Sequence, residues 1–361
     1  RPGRFIGTTG PALNVEDFNE TSVPVTLSTQ FHVDTQFTTQ DLALSLDMFS
    51  DRILKPAIAT VANKMDRDGL LVAKNNTANI VGTAGTAPTG LITYLTAAAY
   101  LDSEGAPRDG RRSCTIEPFT SSTIVDSLKG LFVPTEQISS QYTKGLMGRD
   151  SGGMNWYMDQ NVVSQTFGSY SSATLSCNVT TATGFLTSGW AYSSNITIGA
   201  TSAAATLNQG DTFTIAGVYA VNPQNRQSYG KLRNFVVQST TAIGSGGTAT
   251  VTVVPAVITA GQFQNVSVTS SGSQTVTPFN NTGVVSPQNI LMHRNAFTLA
   301  CADLELPEGV HFAGRASDKE LGLSIRVVRQ YTINNDSIPT RLDVLYGWAP
   351  LYPELACRIA S

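Results

Sequence analysis

Thr248-Ala-Thr-Val-Thr-Val-Val254 steps between polar and apolar side chains at period two. That is the pattern of a half-buried strand, and it decides the fold class. The same stepping occurs in Gln209-Gly-Asp-Thr-Phe-Thr-Ile-Ala-Gly-Val218, in Phe235-Val-Val-Gln238 and in Val266-Ser-Val-Thr269. Turn signals separate these runs, notably Asn208-Gln-Gly-Asp211 and Gly244-Ser-Gly-Gly247. Several short strands at such spacing predict an all-β sandwich or barrel. Charge marks its limits. From Tyr170 to Val285 the only charged residues are Asp211, Arg226, Lys231 and Arg233. Gly244–Gly247 is not a phosphate cradle, because neither a helix start nor a Lys-Ser/Thr pair follows it.

Both flanks of this module change character. After Pro56, residues Ala57, Ile58, Val61, Ala62 and Met65 recur at three and four, one apolar stripe. Proline is tolerated in a first helical turn, so a helix is predicted over 56–74, about 28 Å long. Its other face carries Lys64, Asp66, Arg67, Asp68 and Lys74. Leu42, Leu44, Leu46 and Phe49, with Ser50-Asp51, predict a helical region just before it. Pro88 opens another helix with Leu91, Ile92, Leu95, Ala98 and Ala99 on one face, ended by Gly105-Ala-Pro107. Cys114-Thr-Ile116 reads as a strand, and Ser121 or Ser122 as the cap of a helix through Ile124, Val125 and Leu128. Gly145 to Asn155 reads as a loop. Beyond the module, a helix is expected over 295–304, from Phe297, Leu299, Ala300 and Cys301. Strands are expected in Leu321-Gly-Leu323-Ser-Ile325-Arg-Val327 and in Arg341-Leu-Asp-Val-Leu-Tyr-Gly-Trp348. Mixed α+β segments on both sides of one β module are the pattern of a domain inserted into another.

Residues 1–38 alternate without helical period, as in Val23-Pro-Val25-Thr-Leu27 and Phe31-His-Val33-Asp34. They read as an extended β-arm or long hairpin. Isolated hairpins are marginal in water, so this element must lie on something else.

Only 14% of the 361 residues are charged, against about 25% in an average chain. This fits a protein that covers itself with its own copies. It fits equally a Ser/Thr/Asn-rich β protein with neutral polar faces. The net charge of −3 is no nucleic-acid footprint, although nucleic acid could be enclosed without being gripped. Cys114, Cys177, Cys301 and Cys357 are too scattered for a zinc motif and too sparse for a disulfide scaffold. They are expected to be isolated thiols in a reducing cytoplasm. No stretch approaches the roughly 20 apolar residues of a membrane span. The chain starts at Arg1 rather than Met, which implies processing or trimming there.

No catalytic, metal or cofactor site emerges. The three histidines, His32, His293 and His311, form no metal-ligand spacing. His32 and Asp34 would share one strand face, but no nucleophile motif accompanies them. Asp66-Arg-Asp68-Gly69 is half an EF-hand loop without its remaining ligands, and it sits in a helix. Arg108-Asp-Gly-Arg111-Arg112 is a basic turn best read as a surface ion-pair cluster. Arg226, Lys231 and Arg233 lie in the Asn222–Asn234 stretch of an otherwise charge-poor module. A cationic loop tip there could grip an acidic partner or serve solubility alone.

Three stretches carry a resemblance to a known family. They are Thr35-Gln-Phe-Thr-Thr-Gln-Asp-Leu-Ala-Leu-Ser45 with Phe49-Ser-Asp-Arg-Ile-Leu-Lys-Pro-Ala57, then Gln209–Val218, then Arg341–Trp348 through Pro353-Glu-Leu355 and Arg358-Ile359. In order and spacing they resemble the major capsid (coat) proteins of tailed bacteriophages, of the short-tailed Salmonella-phage type. These add an inserted β-barrel to the Hong Kong 97-type capsid fold. The resemblance implies an extended loop at 1–38 and a peripheral domain at 39–115 with its spine helix at 56–74. An axial domain would span 116–169 and 286–320, a barrel 170–285, and core-completing strands 321–361. It implies an icosahedral head of hexamers and pentamers, assembled in the host bacterial cytoplasm around double-stranded DNA with scaffolding and portal proteins. It makes Arg226, Lys231 and Arg233 candidates for contacts between capsomers. Some members cross-link through a lysine on the extended loop. The first lysine here is Lys55, so cohesion is expected to be non-covalent. Two other readings compete. A tail-tube or head-decoration protein would leave the helices without a role. A glycan hydrolase would need converging carboxylates, and the β module offers only Asp211.

Overall fold

The apolar stripe of the first long helix finds its partner in a sheet. In the computed structural model, which describes residues 5–13, 15, 19–40, 54–128, 152–180, 184–280, 283–318 and 322–361, that helix is α1 (Lys55–Asn76). The molecule divides into two compact units, residues 1–23, 73–297 and 350–361, and residues 24–72 and 298–349. The expected helical region at 42–51 and most of the 145–155 loop lie outside the described residues.

The second unit holds a five-stranded sheet of β1 (Thr29–Thr38), β16 (Phe297–Ala302), β17 (Phe312–Asp318), β18 (Leu323–Arg329) and β19 (Ser337–Pro350). Their order is β1-β19-β18-β17, with β16 also on β19. Ala57, Val61 and Met65 of α1 bury against Leu342, Val344 and Tyr346, flanked by Phe31, Val33, Ile325 and Val327. The side-chain alternation of each strand thus meets the 3.6-residue period of the helix. β1 pairs along its full length with β19, from Thr29 opposite Tyr346 to Thr38 opposite Ser337. The hairpin considered for 1–38 is therefore corrected: the partner strand is about 300 residues away and supplies the core that a local hairpin lacks. The Asp66–Gly69 motif is a packing contact. The Tyr346 hydroxyl donates to Asp68 Oδ2 at 2.7 Å, and Trp348 Nε1 donates to the Met65 carbonyl at 3.0 Å. The Trp348 ring lies so close that a Cβ on Gly69 would meet it at 2.7 Å.

Two sequence expectations fail here and in the first unit. The helix foreseen at 295–304 is strand β16, because a short apolar run cannot separate helix from strand by periodicity alone. The helix expected to be capped by Ser121 or Ser122 begins earlier, as α3 (Pro118–Leu128), with proline in its first turn. Ser121 is buried within it and donates its N–H to the Glu117 carbonyl at 2.9 Å.

The first unit has a six-stranded sheet of β2 (Ile80–Gly82), β3 (Arg112–Ile116), β4 (Asn155–Met158), β5 (Ser164–Thr166), β15 (Val285–His293) and β20 (Ala356–Ala360). Helix α2 (Leu91–Ser103) seats Tyr94, Ala97, Ala98 and Leu101 against Cys114, Trp156, Leu291 and Ile359 of that sheet. After β5 the chain leaves this sheet, and it returns in β15. Between them lie β6 (Thr174–Asn178), β7 (Ser194–Thr201), β8 (Ala205–Leu207), β9 (Thr212–Val221), β10 (Ser228–Val237), β11 (Thr241–Ile243), β12 (Thr248–Val254), β13 (Val266–Val268) and β14 (Ser273–Pro278). Six of these close on themselves through antiparallel pairings, in the order β9-β10-β12-β7-β6-β14 and back to β9. β13 extends the ring on β9, and β8 pairs with β11 alone. Alternate residues fill the ring: Leu175, Ile196, Ile198, Phe213, Ile215, Phe235, Val251 and Val253. Ile80, Ala84 and Ala360 of the sheet region join the same core.

Exchanging a helical glycine for alanine ordinarily stabilises by about 0.5–1 kcal/mol. Gly69→Ala is expected to reverse that sign, because the added methyl collides with a tryptophan ring held by its own hydrogen bond. Urea unfolding of the two proteins measures it, and a gain in stability would refute this account of the glycine.

Candidate functional site

The three cations singled out in the β module do not form one loop tip. The loop itself is short: Asn222 Oδ1 accepts from the N–H groups of Gln224 and Asn225, and β10 starts at Ser228. Arg226 closes this turn with φ +54°, a left-handed conformation rare for a non-glycine residue. Its Nη2 donates to the Phe5 carbonyl at 3.0 Å and the Gln262 carbonyl at 3.3 Å. Lys231 lies exposed on β10. Arg233, two residues on, is fully buried and ion-paired with Glu104. Expecting Arg233 at an exposed tip is thus corrected. Between Leu232 and Asn234 the partner on β9 jumps from Tyr219 to Thr214, and Arg233 sits at that register break.

Glu104 caps the C-terminus of α2 and is itself buried. It also accepts from the Tyr229 hydroxyl at 3.3 Å, while Asn222 Nδ2 satisfies the Ser103 carbonyl at 2.8 Å. The end of α2 is therefore closed by β10 and its turn, which supply partners that a helix terminus lacks internally. Burial pushes the Glu104 carboxyl up, and the Arg233 guanidinium opposes that shift.

A second buried cluster gathers Lys74, Gln165, Asp211 and Arg358. Lys74 Nζ donates to Gln165 Oε1 at 2.6 Å, and Gln165 Nε2 donates to Asp211 Oδ1 at 2.8 Å. Asp211 Oδ2 accepts the N–H of Asn208 at 2.8 Å and of Gly168 at 3.0 Å. Arg358 Nη1 donates to the Gly210 carbonyl at 2.8 Å. Thus the one acid in the Tyr170–Val285 stretch organises the turn into β9, and β20 holds the same turn from the sheet. Gly210 has φ +89° there, a conformation suited to glycine. Burial lowers the Lys74 amine to about 8, helped by nearby Arg358. Burial also lowers Arg358 to about 10 and raises Asp211, whose hydrogen bonds pull the other way. Lys74 was assigned to the outer face of α1 and is instead buried, because the last turn of the helix ends in this cluster.

The remaining sequence candidates are ordinary. His32 Nδ1 and Asp34 Oδ2 lie 2.8 Å apart on β1, both substantially exposed. Arg108 and Arg112 both pair with Asp102, whose carboxyl the Arg108 hydrogen bond holds below the usual carboxylate range. His293 pairs with Asp109 at 3.1 Å. The four cysteines are free thiols. Among the described residues no three His, Cys, Asp or Glu side chains converge as a metal site. Sequence reading missed Glu104 altogether and named Arg358 only within the family resemblance, without its buried role. The signal available was a lone acid, Asp211, in a neutral stretch: it must have partners elsewhere.

Comparison with known proteins gives one decisive match. A family model described as "P22 coat protein - gene protein 5" matches residues 7–358. No curated protein matches by sequence. Among solved structures the chain is similar to one described as Mycobacterium phage Che8, at 8% identity and TM-score 0.43, covering 96% of this chain and 76% of that one. It is similar also to the capsid of Cyanophage P-SCSP1u, at 9% identity and TM-score 0.42, covering 100% and 82%. A third is the mature capsid of bacteriophage PhiM1, at 9% identity and TM-score 0.40, covering 99% and 79%. Likenesses this distant add no weight to the family match.

Two measurements probe the buried charges. Arg233→Met strands the Glu104 carboxylate and is expected to cost about 3–5 kcal/mol. Adding Glu104→Gln should restore much of that loss, and strict additivity in a urea double-mutant cycle would refute the coupling. Lys74 sits lower in the folded protein than its ordinary 10.5, so the unfolded chain holds more protons between about pH 8 and 10.5. Its unfavourable contribution therefore fades as pH rises through that window. Wild type should gain up to roughly 3 kcal/mol relative to Lys74→Met from pH 8 to 10.5. Parallel stability curves for the two would show that Lys74 titrates normally.

Proposed function

Because the chain belongs to the P22 coat protein family, and is a major capsid protein forming the head of a tailed phage, we propose that it builds an icosahedral shell through a Hong Kong 97-type fold whose inserted barrel is the six-stranded ring. The observation that carries this reading is the match from residue 7 to residue 358, which leaves no large segment of the described fold unaccounted for. The ring supports it, since the chain departs from the six-stranded sheet after β5 and re-enters it in β15. In this reading α1 is the spine helix, 39–115 is the peripheral domain, and 116–169 with 286–320 form the axial domain. Residues 170–285 are the insertion, and 321–361 complete the core. β1 anchors the N-terminal extended loop, so the part that reaches a neighbour precedes Thr29.

Subunits then cover one another in hexamers and pentamers. Ile92, Phe119, Tyr157 and Met158 are large apolar side chains at least half exposed in the single chain. Contacts between copies would remove them from water at about 25 cal/mol per Å². Of the three cations, Lys231 remains the candidate for a contact between capsomers. Scaffolding and portal proteins would direct assembly in the bacterial cytoplasm. Double-stranded DNA is enclosed without sequence-specific binding, in keeping with a net charge of −3. The protein works by assembly and has no catalytic role.

Expression alone or with a scaffolding protein is expected to yield closed shells or aberrant particles in negative-stain micrographs. A chain that stays monomeric at high concentration under all conditions would overturn the proposal.

A further inference from the structure

The N-terminal segment touches the first unit at two built places. One is the Arg226 clasp, whose guanidinium holds the Phe5 carbonyl and the Gln262 carbonyl together. The other is Thr21, buried although Asn19, Glu20 and Ser22 around it are exposed. Residues 19–22 line a groove of about 620 Å³ whose other wall includes Ser188, Trp190, Gln262 and Phe263. That wall stands without the segment. Leu186 and Thr259 exchange backbone hydrogen bonds with Val257 and Leu186, each 2.8 Å long. Trp190 and Leu186 pack against a small core of Ala256, Ile258 and Phe263.

Two features make this site indifferent to which copy fills it. The clasp grips a main-chain carbonyl, and every copy of the chain presents the same one. The segment itself has no helix or strand among its described residues, so none of these is lost when those residues move. It also exposes apolar residues, Leu13 at 89% and Val15 at 78%. Arg226 holds its own strained turn in order to reach it, and such outliers mark functional contacts.

We propose that this groove and the Arg226 clasp form an arm-docking site that, on assembly, exchanges the chain's own residues 19–22 for those of a neighbouring copy. The proposal rests on the self-assembly reading. Exchange of an identical element keeps every contact while linking two subunits. A shell holds neighbouring arms at high effective concentration, which favours the exchanged state.

A double variant, Glu20→Cys with Ser188→Cys, both exposed on the groove, tests it in a Cys301→Ser background, the other three cysteines being buried. A short bismaleimide is applied to free subunits and to shells, followed by denaturing gels. Free subunits should give a link within one chain, and shells a ladder of chain multiples. Shells that give only within-chain links overturn the exchange while leaving the capsid reading intact. Absence of any link in both states overturns the docking site itself. Absence of particles from the unmodified chain would instead strike the capsid reading. Should the variant fail to assemble, hydrogen exchange on Arg226→Gly decides, since glycine relieves the turn while removing the clasp. Exchange in residues 5–22 of the free subunit should rise at least tenfold, with 186–192 and 258–263 unchanged. Unaltered protection of the arm would refute the clasp.

Discussion

A sheet that closes on itself keeps little free edge with which to pair with another sheet. That constraint governs the first unit. With β9, β10, β12, β7, β6 and β14 paired in a ring, no main-chain ladder among the described residues joins them to the six-stranded sheet. The connection falls to side chains and turns. The shared apolar core supplies area through Ile80, Ala84 and Ala360. Direction comes from two buried charge clusters, Arg233 with Glu104 and Asp211 with Arg358, Lys74 and Gln165. Apolar contact is non-directional, whereas a buried carboxylate accepts only at fixed geometry, so the charges set how the ring is seated.

This explains why so few charges occur between Tyr170 and Val285. Of the four, Asp211 and Arg233 are internal ties and Arg226 is engaged with main-chain carbonyls. Lys231 is the exposed remainder. A coat protein needs surfaces that copies of itself can cover, and an unpaired charge is costly to bury at a contact. Removing charge from most of the ring, and spending nearly all the rest on its attachment, suits a molecule whose function is to be covered.

The second unit solves a different problem. There a single helix stripe covers one face of a five-stranded sheet, and the fit is close enough that Gly69 yields its side chain to Trp348. On the other face Asp343 is fully buried beneath Arg326 and Arg341, with Gln30 of β1 as a further donor. β1 is thereby fastened to β19 by side chains as well as by its ladder. The segment preceding it, without helix or strand among its described residues, starts from a firm root.

What the sequence determined by itself was periodic. Ala249, Val251 and Val253 at every second position and the stripe from Ala57 to Met65 foretold a strand and a helix, and the neutral stretch from Tyr170 to Val285 is rich in strands. Each is a property of neighbours along the chain, where side-chain direction repeats at 2 or 3.6 residues. Short ambiguous runs such as Phe297–Ala302 escaped, because their state was chosen by pairing with β19. Only the tertiary structure decided which charges meet. Glu104 and Arg233 are 129 positions apart, and Gly210 and Arg358 are 148 apart. No local period encodes such a pairing. It exists because two separately formed surfaces bury these groups together, and a buried charge without a partner would not remain there.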